Sequence, residues 1–190
     1  MQPVHIELPR FLLRDFTSAD QAAFVAYQMD PRYLGLYDLS DSDPGRAERL
    51  FDRFVEWQNE EPRRNFQIGV FDLATGRLLG CAGLRQKDDD LAVFGIELAP
   101  GEWGRFRLAI DVAAALMEHG FRTLDLQTIT GETASGNRRV EKLARFFGAE
   151  IVARRPGPAW MRARGWQEVD WSLSRAAWER SRAGRDVSGD

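Results

Sequence analysis

The stretch GEWGRFRLAID, residues 101–111, decides how the chain is read. It is a glycine-punctuated turn that runs straight into an apolar helical pattern. Such a turn leaves backbone N–H groups at a helix start, where an anion can sit. Where a phosphate loop would carry a further glycine, Arg105, Phe106 and Arg107 stand instead. The helix that follows places Ala109, Val112, Ala113, Leu116 and Met117 along one apolar stripe, and Gly120 is its expected terminator.

Upstream, the period changes from two to 3.6 residues and back. Residues Phe11 to Phe16 read as a strand, and Thr17 with Asp20 reads as a helix cap ahead of a helix ending before Asp30-Pro31. Asp43 and Pro44 open a second helix, whose Ala47, Leu50, Phe51, Phe54 and Val55 share a face. Phe66, Ile68 and Val70 alternate, DLATG turns, RLLGCAGLR returns, KDDD turns again, and LAVFGIELAP forms the next hairpin strand. Downstream, TLDLQTIT reads as a strand and ETASGN as a loop. A basic helix follows with Val140, Leu143, Ala144 and Phe147 on one face, stopping at Gly148. EIVARR and GWQEVDWSLS form a last pair of strands, and residues 175–184 a terminal helix. The expected fold is α/β (α+β) in a single domain, residues 1–184, with 185–190 as a flexible tail.

The totals narrow the function. A chain of 190 residues that is 44% hydrophobic and 29% charged can bury one substantial core. Its net charge of −3 argues against wholesale nucleic-acid binding, which would also show steep salt dependence. A single cysteine, Cys81, excludes an internal disulfide framework and fits a reducing compartment. The start MQPVHIELPR lacks a signal-peptide pattern, and no apolar run approaches the ~20 residues of a membrane helix. A cytoplasmic protein is expected, with no membrane or nucleic-acid partner. The two histidines, His5 and His119, have no ligand partner at metal spacing, so no metal is expected.

Charge placement carries more information. Arg105 and Arg107 sit at the start of one helix, and Arg138, Arg139 and Lys142 in the first turn or so of another. Cations there oppose the helix dipole by ~0.3–1 kcal/mol each when exposed, which suggests an anion nearby. A solvated polar face is the other explanation.

The order of hairpin strands, LAP, the W-G-x-x-x-x-A helix start, a strand and the N-x-x-V-x-K-L-A-x-x-x-G helix resembles the GNAT superfamily of acetyl-CoA-dependent N-acetyltransferases. The likeness is to the branch containing ribosomal-protein N-terminal acetyltransferases, and it runs from FLLRDFTSAD to VDWSLSRAAW. It implies a central mixed, mostly antiparallel sheet of about seven strands flanked by helices. By that resemblance, Trp103, Gly104, Arg105, Phe106, Arg107, Leu108 and Ala109 form the loop that binds the pyrophosphate of acetyl-CoA. Arg107 stands in a glycine position of the motif, where it either clamps the cofactor or fills its place. Ile96 and Leu98 would line the pantetheine channel. Asn137 would meet the pantetheine arm or a catalytic water, although its side chain equally suits an N-cap. Arg139 and Lys142 would face cofactor phosphates. Glu97, a carboxylate in an apolar strand, would be the general base through a water, or else simply solvated. The tyrosine that many members use as general acid is replaced by Ala144. Tyr33 and Tyr37 would line the acceptor pocket. The implied activity is transfer of an acetyl group to a small-molecule or peptide amine by direct attack, with a homodimer possible. The alternative is a catalytically degenerate GNAT-fold module that binds CoA or a partner.

Overall fold

The structure, a computed structural model, describes residues 3–35 and 43–186. Among the described residues there are eight strands: β1 (His5–Glu7), β2 (Phe11–Arg14), β3 (Asn65–Asp72), β4 (Leu78–Gln86), β5 (Leu91–Leu98), β6 (Thr128–Ala134), β7 (Glu150–Pro156) and β8 (Gln167–Ser174). Their order in the sheet is β1-β2-β3-β4-β5-β6-β8-β7. The β1–β2, β2–β3, β3–β4, β6–β8 and β7–β8 ladders are antiparallel, whereas β5 and β6 run parallel. The sheet is therefore mixed and mostly antiparallel, with one strand more than the sequence suggested. The addition is β1, whose three residues pair with β2 and are too few for a periodic signal. The described residues also form helices α1 (Gln21–Gln28), α2 (Pro31–Leu34), α3 (Pro44–Trp57), α4 (Phe106–Glu118), α5 (Arg138–Phe146), α6 (Ala159–Ala163) and α7 (Arg175–Asp186). Among the described residues, no helix is long and apolar enough to cross a membrane.

The chain groups into two compact units, Met1–Arg85 with Gly95–Leu116, and Gln86–Phe94 with Met117–Asp190. The first holds an aromatic core built from α1, α3 and the strands beneath them. Phe24 and Phe51 are fully buried, and Phe16 meets Phe51 edge-on at 5.2 Å. Local chemistry sets the helix starts. The Asp43 side chain accepts from the Gly45 amide at 2.9 Å with Pro44 at the first helical position, and Asp30 does the same for Arg32 at the start of α2. Asp20 accepts from both the amide and the hydroxyl of Thr17 and from Arg14, closing the expected cap.

The second unit departs from the sequence reading in three places. Gly120 does not end α4; the chain continues through a π-turn over His119–Thr123, in which Leu124 N bonds His119 O at 3.1 Å. The wider turn accompanies burial of Phe121, whose ring lies 5.1 Å from that of Trp178. The strand expected at 123–130 is shifted to Thr128–Ala134, because the polar stretch read as a loop finds ladder partners in β8, with Thr133 opposite Val169 and Ala134 opposite Glu168. Short α6 lies between the two strands expected at EIVARR and GWQEVDWSLS. Residues 187–190 of the expected tail, like residues 36–42, lie outside the described residues.

Candidate active site

Glu97 lies on β5, and its carboxylate turns toward the helices of the first unit rather than toward open solvent. Oε1 accepts from the Tyr27 hydroxyl at 2.6 Å, the Gln28 side-chain amide at 2.6 Å and the Cys81 thiol at 3.1 Å. Oε2 accepts from the Tyr33 hydroxyl at 2.5 Å. Gln28 Nε2 also donates to the Tyr33 oxygen at 3.0 Å, and Gln67 Nε2 to the Cys81 sulfur at 3.2 Å. Tyr27, Gln28, Tyr33, Gln67 and Cys81 are all buried, and Glu97 itself is half-buried. The network sits against the aromatic core, with the Tyr27 and Tyr33 rings 5.7 Å apart and edge-on.

Three elements supply the donors that reach Glu97. Tyr27 and Gln28 come from the last turn of α1, Tyr33 from α2, and Cys81 from β4, the neighbour of β5. Gly80 permits the close passage of β4 past β5: it has φ +150°, and a Cβ there would lie 2.2 Å from the Glu97 carbonyl oxygen. Burial, reinforced by Cys81, Glu97 and Tyr33, raises the Tyr27 phenol well above its ordinary value. Burial and the Glu97 carboxylate likewise push the Cys81 thiol up. Both groups keep their protons at neutral pH and act as donors to Glu97. Charge-assisted bonds of this kind are the strong ones, and they fix the carboxylate's rotamer.

The start of α4 forms the second part of the site. Gly104 has φ +94° with nothing within 4 Å of a would-be Cβ, so the turn is open on that side. The amides of Arg107 and Leu108 follow in the first helical turn, where no carbonyl of the same helix reaches them. The Trp103 indole donates to the Leu98 carbonyl at 2.9 Å, pinning the turn to β5 and occupying that carbonyl. Leu108 is buried, backbone included, while Ile96, Phe106 and Ala109 are half-buried. Arg107 is 85% exposed and pairs with Asp111 at 3.0 Å, leaving the turn unfilled by its side chain. An open glycine turn at a helix N-terminus is a place where backbone amides can meet an anion.

The anion that the helix-start arginines called for belongs in part to the chain itself. Buried Glu102 holds Arg105 through Oε2 and Arg77 through Oε1 at 2.7 Å. Arg107 has Asp111, and Arg138 has Glu141 at 3.4 Å. In the second unit, Asn137 caps α5, its Oδ1 accepting from Val140 N at 3.4 Å. Arg139 in the first turn of the same helix and Lys142 just after it are exposed. Tyr37 lies outside the described residues. Among the described residues, no group of His, Cys, Asp or Glu side chains is arranged to hold a metal ion.

The sequence points to Glu97 and Tyr33 as site residues but not to Tyr27, Gln28, Cys81, Gln67, Arg77 or Glu102. Tyr27 follows Phe24 at helical spacing and reads as core, and Cys81 reads as a small apolar strand residue. Nothing local marks either as a partner of Glu97, which is 70 residues from Tyr27 in sequence.

Comparison with known proteins agrees with this architecture. The sequence model of the family described as "Acetyltransferase (GNAT) domain" matches residues 10–150. A search of the curated proteins finds no match. Among solved structures, a GNAT-family acetyltransferase from Bacillus anthracis superposes with a TM-score of 0.74 at 15% identity, covering 90% of this chain and 98% of that one. The ribosomal-protein-S5-alanine acetyltransferase of Vibrio fischeri gives 0.74 at 15% identity over 92% and 98%. The spermidine N-acetyltransferase of Vibrio cholerae, solved with CoA and spermine, gives 0.72 at 15% identity over 90% and 99%.

Proposed function

We propose that this chain, which belongs to the GNAT acetyltransferase family, transfers an acetyl group from acetyl-CoA to a primary amine of a small molecule or peptide by direct attack. The observation that carries the reading is the Glu97 carboxylate, fixed on β5 by Tyr27, Gln28 and Tyr33 in the same unit as the open turn at the start of α4.

Acetyl-CoA, when bound, supplies the thioester carbonyl that the amine attacks. Gly104 and the first-turn amides of α4 are the groups suited to its diphosphate. A neutral amine must lose a proton as it attacks, and the two oxygens of Glu97 differ in their capacity to take it. Among the described residues, Oε1 is crowded by three donors, whereas Oε2 accepts one, from Tyr33. Each carboxylate oxygen has two lone-pair sites, so Oε2 keeps room for an amine or an intervening water. Tyr33 can also relay: its oxygen accepts the amine proton as its own passes to Oε2. A positioned base of this kind contributes about 10²–10⁴-fold to rate.

The amine specificity of the Vibrio cholerae spermidine N-acetyltransferase and the ribosomal-protein specificity of the Vibrio fischeri acetyltransferase motivate the two acceptor classes to be tried. The test combines calorimetric titration of acetyl-CoA and desulfo-CoA with thiol release over a panel of polyamines and peptide N-termini. Turnover on an amine is expected, with Glu97→Gln lowering kcat while acetyl-CoA still raises the melting temperature. Binding without thiol release on any amine points instead to a CoA-binding module without catalysis. No binding at millimolar acetyl-CoA overturns the proposal.

A further inference from the structure

We infer that Glu102 is a positioning residue for the cofactor diphosphate, acting through Arg105. This inference rests on the assignment of the α4 turn to acetyl-CoA. Glu102 ends a single 3₁₀ turn, Pro100–Glu102, just ahead of Trp103 and Gly104. It is 2% exposed, which is rare for a carboxylate outside a fully bonded setting. Its oxygens are divided between two arginines from separate segments. Oε1 takes Arg77, which immediately precedes β4, and Oε2 takes Arg105, which immediately precedes α4.

Three consequences follow from that geometry. First, the carboxylate ties the turn at its closed end to the β3–β4 hairpin, while Trp103 ties it to the Leu98 carbonyl. The open Gly104 turn is thus braced on two sides before any ligand arrives. Second, Arg105 is held beside the helix N-terminus, a place the dipole disfavours for a cation without an anion. Glu102 is that anion, and it spares the long side chain from being ordered at the moment of binding. Third, the triad of Arg77, Glu102 and Arg105 carries one net positive charge, two cations against one anion. One positive charge therefore remains at the turn to meet an anionic ligand, in a chain whose overall charge is −3. Glu102 itself is covered by its two arginines and presents no bare carboxylate to a phosphate.

The experiment measures calorimetric affinity of wild type, Glu102→Gln and Arg77→Met for two probes, CoA and pantetheine, the second lacking the diphosphate. Arg77 is 58% exposed at its side chain, so its replacement loosens the brace without opening the core. Both variants are expected to bind CoA about tenfold more weakly, equivalent to ~1.4 kcal/mol, with pantetheine affinity unchanged. Arg105→Ala combined with Glu102→Gln should be no weaker than Arg105→Ala alone, because Glu102 acts through Arg105. Equal CoA affinity in wild type and Glu102→Gln overturns the inference and leaves the acetyl-CoA assignment standing. A parallel loss for both probes also overturns it, since that marks general destabilisation. Wild type that fails to bind CoA refutes the cofactor assignment itself.

Discussion

Removing the Glu97 carboxylate tests the buried network most directly. In Glu97→Ala, the Tyr27 and Tyr33 hydroxyls and the Gln28 amide lose acceptors at 2.6, 2.5 and 2.6 Å. Hydrogen bonds to a charged group contribute ~1.5–3 kcal/mol net apiece. Two effects reduce the total. Tyr27 retains the Cys81 sulfur at 3.5 Å and Gln28 retains the Tyr33 oxygen at 3.0 Å. Loss of a half-buried carboxylate also recovers part of its desolvation cost. A net loss of about 2–4 kcal/mol is expected. At ~2–4 °C per kcal/mol for a chain of this size, Tm falls by about 4–16 °C. Glu97→Gln keeps one acceptor oxygen for Tyr27 and Gln28 but sets an NH2 donor where Oε2 accepts from Tyr33, so it should fall short of that. Urea denaturation gives the free energies, and a cycle with Tyr27→Phe should return a coupling of ~0.5–3 kcal/mol. If Glu97→Ala stays within ~0.5 kcal/mol of wild type, as an ordinary surface change does, the network contributes nothing and the reasoning fails.

Glu102 gives a pH signature in stability. Burial alone would raise its carboxyl, but hydrogen bonds from Arg77 and Arg105 outweigh this and hold it below the ordinary value of 4.5. Its stabilising contribution is therefore present above that value and is lost as pH falls through the folded one. The urea midpoint of Glu102→Gln should accordingly converge on that of wild type in acid and diverge from it at neutral pH. Gly80→Ala should cost ~1–3 kcal/mol or more, because the added Cβ meets the Glu97 carbonyl at 2.2 Å and backbone must move. Wild-type stability in that variant, read from the urea midpoint, refutes the close β4–β5 passage. Arg107→Ala should leave CoA affinity unchanged in calorimetry, since the side chain is committed to Asp111 at the surface. A clear loss there would mark Arg107 as a phosphate clamp.

Elements with strong local signals were legible in the sequence. The α3 stripe of Ala47, Phe51 and Phe54 is buried as its spacing predicts, and Asp43 caps it. The β3–β4 hairpin, with Phe66, Ile68 and Val70 buried, followed from alternation and turn residues. What escaped was short or conditional on a partner: three-residue β1, four-residue α2, the π-turn at His119–Thr123, and the last residues of β6. Their periodicity is too brief to read, and their hydrogen bonds depend on strands and side chains supplied from elsewhere.

The sequence by itself determined the helices with continuous apolar faces, the hairpin order, the glycine turn at 101–111 and the presence of a carboxylate at Glu97, because each is encoded within a few neighbouring residues. Only the tertiary structure decided what those groups do to one another. It turned Glu97 toward Tyr27, Gln28 and Tyr33, set Arg107 outward on Asp111, and buried Glu102 between two arginines. Donors and acceptors separated by up to 70 residues meet only when sheet pairing and helix packing bring them within about 3 Å, a distance that local spacing does not encode.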